Sequence, residues 1–215
     1  MDSIFITATN TEVGKTTIAK ALIDEYGKKG IKVTPFKPIE TGVVDEPEDA
    51  LVLLECAKKY NLNLKNLTPK DITAYTFSLP AAPYVAKDME IDMEVIKKKK
   101  EALLGYGELL LIEGAGGLMV PIYKDYFMID LIDELGATPF LVSTSKLGCI
   151  NDLLLSLGVL ESRFGSVLFG LNLFDESYFS ISHPYLSEHF KKLFLLPKDI
   201  KEVADELLKR VSSAK

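Results

Sequence analysis

The sequence predicts a single α/β domain over residues 1–215, a doubly wound, mostly parallel sheet flanked by helices. Three observations point there. Apolar runs of four to seven residues alternate with segments of helical periodicity, the pattern of successive βαβ units. The first such run is followed by a polar loop and then a helix, the place where open α/β sheets bind phosphate. Of 215 residues 47% are hydrophobic and 26% charged, enough apolar material for one sizeable core.

Taken in chain order, residues 3–8 (SIFITA) are apolar and β-branched and read as the first strand. A helix is expected over 15–29, with Ile18, Ala21, Leu22 and Tyr26 on one stripe and Gly30 as its stop. Residues 33–37 are a second strand closed by Pro38. A helix follows over 51–60, with Asp49 in or just before its first turn. Residues 73–85 contain Pro80 and Pro83 and follow Pro69, so they read as irregular surface chain. The helix over 92–104 turns Met93, Ile96 and Leu103 inward. Leu109–Glu113 is a buried central strand ending in an acid. Strands are expected at Thr138–Thr144 and 167–172, and between them Ile150, Leu153, Leu154, Leu157 and Leu160 phase as a helix. The tail over 199–211 repeats that pattern with Ile200, Val203, Ala204, Leu207, Leu208 and Val211. No internal repeat, low-complexity segment or domain boundary interrupts the chain.

Composition excludes several classes. The net charge is −6, from 25 basic and 31 acidic side chains, whereas a nucleic-acid binder presents a basic face. The one dense basic run, residues 97–100, lies on a helix whose inward positions are apolar. It reads as a solvated face with Lys100 near the stripe. No apolar stretch approaches the roughly 20 residues a bilayer span needs. Cys56 and Cys149 are too few for a disulfide framework, and His183 and His189 lack zinc-ligand spacing. With no leader visible, a cytoplasmic protein is expected.

The strongest chemical signal is TNTEVGKT, residues 9–16: Thr9, Asn10, Thr11, Glu12, Val13, Gly14, Lys15 and Thr16, with Thr17 behind it. It matches the phosphate loop Gly-x-x-x-x-Gly-Lys-[Ser/Thr] except that Thr9 replaces the first glycine. A Gly-Lys-Thr tripeptide is weak evidence alone; between a strand and a helix it defines a P-loop NTPase-like fold. Backbone N–H groups there face phosphate oxygens, Lys15 adds charge, and the Thr16 hydroxyl reaches Mg²⁺. A lysine in a first helical turn opposes the helix dipole unless an anion sits beside it. Magnesium also needs one or two carboxylates. Glu113 stands at a strand end before Gly114, Ala115, Gly116 and Gly117, where the backbone can approach a nucleotide closely. Asp49 is a second candidate, although an acid at a helix N-terminus is also a natural cap.

These blocks, together with KPIETG (37–42), the DAL at 49–51, PAAPYVA (80–86), IEGAGGLMVP (112–121) and KLGCIN (146–151), occur in the order seen in dethiobiotin synthases. The chain resembles that family over roughly residues 3–172. The phosphate loop and EGAGG are shared with other ATP-dependent amide- and ring-forming enzymes, whereas KPIETG with KLGCIN is specific. The resemblance implies an ATP- and Mg²⁺-dependent ligase that closes a ureido ring on 7,8-diaminononanoate with CO₂, releasing ADP and phosphate. It implies Lys37, Lys15 and Thr11 as catalytic groups, and a nucleotide site of Glu12, Val13, Gly14, Lys15, Thr16, Thr17, Glu113, Gly114, Ala115, Gly116 and Asn172. It implies Thr41 beside the carbamate, and Leu147, Gly148, Cys149, Ile150 and Asn151 around the substrate carboxylate, contributed across a homodimer. Metal ligands would be Thr16, Asp49 and Glu113. Cys149 has no adjacent base and reads as a packing residue.

Departures from the family pattern are Ala8 for a glycine, Thr41 for a serine and Pro47 for an asparagine. The adenine-fixing segments diverge most. Asn172 is present, but residues 173–176 lack the usual proline, and Leu195-Leu196-Pro197 replaces a Gly-x-[Ile/Leu]-Pro segment. Weak discrimination between nucleotide bases is therefore expected. Two rivals are less favoured. A glutamine-hydrolysing amide synthase needs a further domain that 215 residues do not accommodate. A partitioning-type ATPase carries an extra lysine early in the loop, where Thr9, Asn10 and Thr11 stand.

Overall fold

The computed structural model describes residues 2–213. Its first strand, β1 (Asp2–Ala8), is buried along nearly its whole length, and the phosphate-loop segment leads from it into α1 (Lys15–Lys28). Then come β2 (Val33–Thr41), α2 (Glu48–Lys58), β3 (Thr73–Phe77), α3 (Pro83–Ala86), α4 (Met93–Leu103) and β4 (Leu109–Glu113). A small antiparallel pair, β5 (Pro121–Tyr123) with β6 (Tyr126–Phe127), precedes α5 (Met128–Glu134). The chain continues through β7 (Thr138–Thr144), α6 (Cys149–Phe164), β8 (Leu168–Asn172), α7 (Tyr178–Ile181), α8 (His183–His189), β9 (Leu195–Leu196) and α9 (Ile200–Ser213).

Seven strands form one sheet in the order β3-β2-β4-β1-β7-β8-β9, every pair parallel. Helices cover the faces of such a sheet, which is why β4 reads LLLIE without alternation and is buried throughout. The chain runs from β1 outward to β2 and β3, returns to insert β4 beside β1, and then builds the other half. The order therefore reverses around β1 and β4, and the crevice at their carboxyl ends is where such sheets bind ligands. Helix α1 buries Ile18, Leu22, Ile23 and Tyr26, each apolar side chain contributing about 2 kcal/mol. Helix α9 closes over it: the Tyr26 hydroxyl donates to the Ala204 carbonyl at 3.2 Å.

Two expectations need correction. Residues 73–85 are not wholly irregular, because 73–77 form β3, in parallel register with β2. Thr73, Tyr75 and Phe77 point inward, an alternation masked by the flanking prolines. The second strand does not stop at Pro38. It registers with β4 over residues 33–36 and with β3 over 37–41, so Pro38 falls where β2 changes neighbours. The stretch 121–134 holds the β5–β6 pair and α5, which the apolar pattern did not announce. Lys100 does snorkel, its ammonium donating to the Leu135 carbonyl. No helix among the described residues is long and apolar enough to cross a membrane.

Candidate active site

The loop after β1, the end of β2, the start of α2 and the end of β4 converge at the switch point. They enclose a cavity of about 330 Å³, lined among others by Gly14, Lys15, Thr16, Lys37, Asp49 and Glu113. Gly14 precedes α1 with φ +89°, a left-handed conformation open to glycine, and a Cβ there would lie 2.3 Å from the Asn172 amide nitrogen. Asn172 supports the loop from behind, donating to the Val13 carbonyl at 3.0 Å. Glu12 also adopts positive φ, +57°, although it carries a side chain. The first turn of α1 contains no acid, so its free N–H groups and Lys15 are left facing the cavity.

Lys15 is buried and donates to the Asn10 carbonyl at 3.3 Å. Burial, followed by the charge of neighbouring Lys37, pushes its pKa down to about 8, against the opposing pull of Glu113 and Asp49. Lys37 behaves in the opposite way. Its ammonium lies 2.5 Å from Glu113 Oε1 and 2.7 Å from Asp49 Oδ2. Burial disfavours its charge, but the two carboxylates outweigh that and hold its pKa above the usual lysine range. Asp49 is the mirror case: burial opposes its ionisation, and Lys37 and the Thr16 hydroxyl more than offset that cost. The Thr16 hydroxyl lies 2.8 Å from Asp49 Oδ1 and 3.0 Å from Glu113 Oε1, between the two carboxylates.

Thr16, Asp49 and Glu113 thus form an all-oxygen donor set, the chemistry a hard divalent cation selects. Glu113 Oε2 is buried without a hydrogen-bond partner, leaving an acceptor free for such an ion. These residues fit Mg²⁺. Asp49 does not serve as the cap of its own helix. That task falls to Glu40, which the sequence pattern left without a role. The N-cap of α2 is Pro47, whose side chain caps nothing, and Glu40 accepts from the backbone N–H groups of Asp49 at 2.9 Å and Ala50 at 3.1 Å. The available signal was an acid at a strand end inside KPIETG, opposite a helix that opens with proline.

A second cavity, about 600 Å³, adjoins the first. Thr11, Glu12, Thr41, Ala115 and Gly116 line both, and Pro80, Ala81, Ala82 and Pro83 form its far wall. Among the expected nucleotide residues, Thr17 lines the smaller cavity, and the Gly114 carbonyl lies 3.4 Å from the Lys37 ammonium. Residues Leu147, Gly148, Cys149, Ile150 and Asn151 line neither cavity. Leu147 is 85% exposed, Cys149 is buried as a packing residue, and the Asn151 amide donates to neighbouring Asp152. Rings of Tyr178, Phe179 and His183 pack edge-on against one another, filling their own corner of the fold.

Parallel sheet, phosphate loop and paired carboxylates together define a P-loop nucleotide-binding α/β protein. A family model described as an AAA domain matches residues 2–174. The chain belongs to the family of ATP-dependent dethiobiotin synthetases. It is 48% identical over 193 residues to the one from Sulfurovum sp. (strain NBC37-1), covering 88% of this chain and 92% of that protein. The Wolinella succinogenes protein is 39% identical over 98% of this chain and its own full length, and that of Helicobacter pylori (strain J99) 33% over 96% and 100%. Solved structures share the fold alone. A plasmid partition protein from Borrelia burgdorferi superposes with TM-score 0.56 at 13% identity, covering 100% of this chain and 99% of that one. The Aquifex aeolicus MinC:MinD complex gives 0.52 at 17%, covering 100% and 93%.

Proposed function

We propose that this chain is an ATP- and Mg²⁺-dependent dethiobiotin synthase, which closes the ureido ring on 7,8-diaminononanoate with CO₂ and releases ADP and phosphate. The observation that carries this reading is the wall shared by the two cavities. Thr11, Glu12, Thr41, Ala115 and Gly116 belong to both, so a phosphate chain in one lies beside a small organic substrate in the other. The larger cavity is walled by prolines and alanines, which suits an aliphatic chain.

In this reading one substrate amine adds to CO₂, losing a proton and giving a carbamate. A carbamate oxygen then attacks the γ-phosphorus, and the bond to the β-phosphate oxygen breaks to release ADP. The second amine attacks the carbamoyl carbon, forming the ring C–N bond as phosphate leaves, and its proton passes to water. The protein's part is positioning and charge stabilisation. Lys15 and Lys37 face the negative charge that accumulates during phosphoryl transfer, each contact lowering the barrier by about 3 kcal/mol. Thr11 and Thr41 donate hydroxyl hydrogen bonds to the carbamate. Thr16, Asp49 and Glu113 would hold Mg²⁺, which would supply charge neutralisation at the phosphates. Asn172 stands behind the loop on the nucleotide side. Leu147, Gly148, Cys149, Ile150 and Asn151 reach a substrate carboxylate across a homodimer, a role supported by the exposure of Leu147, Gly148 and Asn151 outside the monomer's own cavities. Two free, buried cysteines accord with a cytoplasmic enzyme.

The test is incubation with 7,8-diaminononanoate, bicarbonate, Mg²⁺ and ATP, with the cyclised product followed by mass. Dethiobiotin forming together with ADP and phosphate is the expected result. ATP hydrolysis without that product would identify a nucleotide switch instead.

A further inference from the structure

We propose that Glu40 is a positioning residue for the metal site: it occupies two first-turn backbone N–H groups of α2, those of Asp49 and Ala50, and so frees the Asp49 carboxylate for Thr16, Lys37 and Mg²⁺. The inference rests on the ligase reading above and adds to it Glu40, which lines the smaller cavity and acts there through Asp49. Asp49 is the second residue of α2, and the N–H groups of a first helical turn attract any nearby carboxylate, its own included. Pro47, at the N-cap, offers no side-chain acceptor. Left alone, this helix start would compete with the metal site for Asp49.

The structure removes that competition from a different element. Glu40 projects from the end of β2, is 5% exposed, and places one oxygen on the Asp49 N–H and the other on the Ala50 N–H. Both its oxygens are engaged, so the Asp49 side chain turns to Thr16 and Lys37. The same two bonds tie the start of α2 to the strand that carries Lys37, three residues before Glu40. One acid thereby sets the separation of Asp49 from Lys37. Burial of Glu40 raises its pKa despite the two N–H donors, so this cap opposes a solvation cost.

The test compares Glu40→Ala and Glu40→Gln with the parent protein by calorimetric titration of Mg²⁺ in the presence of a non-hydrolysable ATP analogue. Hydrogen exchange at the Asp49 and Ala50 amides is followed in parallel. Glu40→Ala is expected to weaken Mg²⁺ binding about tenfold, as removal of a group that orients a metal ligand does. Glu40→Gln, which keeps one acceptor, should fall between. In an Asp49→Asn background the Glu40→Ala change should add nothing, because its effect runs through Asp49. Loss of amide protection with unchanged Mg²⁺ affinity would show a purely structural cap and overturn the proposal. So would an equal further loss in the Asp49→Asn background. If Glu40→Ala does not fold, Glu40→Gln carries the same comparison. Absence of dethiobiotin from the parent protein would sink the ligase reading, while the calorimetric result would still decide the role of Glu40.

Discussion

Lys37 and Glu113 stand side by side on neighbouring strands, one register step beyond the paired Phe36 and Ile112, with 2.5 Å between ammonium and carboxylate and both side chains buried. The same ammonium reaches Asp49 at 2.7 Å. A lysine thus occupies both carboxylates of the proposed metal site, and magnesium entering there meets a resident cation. The phosphates of an incoming nucleotide offer that ammonium other partners, so metal and nucleotide are expected to bind together.

Lys37→Ala should lower kcat about a hundredfold, the ~3 kcal/mol of one transition-state cation contact, while leaving nucleotide affinity largely intact. Without nucleotide the variant should bind Mg²⁺ more tightly than the parent, since the competing ammonium is gone. Steady-state kinetics and calorimetry check both halves. A loss of ATP affinity equal to the loss of rate would contradict the assignment.

Glu113→Gln should raise the Mg²⁺ concentration needed for half-maximal activity. Removing one partner of a buried ion pair should also cost stability, about 3 kcal/mol, lessened by the contact Lys37 keeps with Asp49. A magnesium titration and a denaturant melt read the two effects. An unchanged titration would remove Glu113 from the metal shell.

Lys15 makes phosphate binding depend on pH. Its pKa of about 8 in the free protein means that half of it has lost its charge at that pH. Nucleotide affinity should therefore decline as pH rises through 8, and binding above that pH should take up a proton. Stability carries the opposite sign. The unfolded chain holds this proton up to about 10.5, more tightly than the folded one, so the Lys15 contribution to stability rises with pH between 8 and 10.5. Binding isotherms at several pH values, repeated on Lys15→Met, isolate the effect. A pH dependence that survives this substitution would assign it to another group.

Base selectivity should be shallow. Beyond Asn172 the chain carries neither the proline loop nor the segment that fixes adenine in the resembled family. Instead β9 runs beside β8, and Leu196 accepts from the Leu173 N–H at 3.0 Å. Values of kcat/KM for ATP, GTP and CTP are expected to lie within about a thousandfold, or ~4 kcal/mol. A stronger preference for ATP would refute this.

Much of the site was legible because its chemistry is local. TNTEVGKT needs only a strand before it and a helix after it to become an anion site, and both are visible as apolar periodicity. Glu113 was recognisable as an acid ending a buried run before glycines. Asp49 was ambiguous between cap and ligand, and that the capping falls to Glu40, nine residues earlier in the chain, became visible only in the fold. Strand β3 was hidden because prolines on either side outweighed the alternation of Thr73, Tyr75 and Phe77.

By itself the sequence determined the α/β class, the phosphate loop and the family to which the chain belongs, since these depend on residue type and spacing along a few contiguous segments. Only the tertiary structure decided which charges meet. Parallel register between β2 and β4 sets Lys37 against Glu113, and the crossing of α2 brings Asp49 to both Thr16 and Lys37. Those partners are 76, 33 and 12 residues apart in the chain, and local periodicity carries no information at such separations. The contacts exist because burying the apolar faces of strands and helices fixes one register, and that register carries the charged side chains with it.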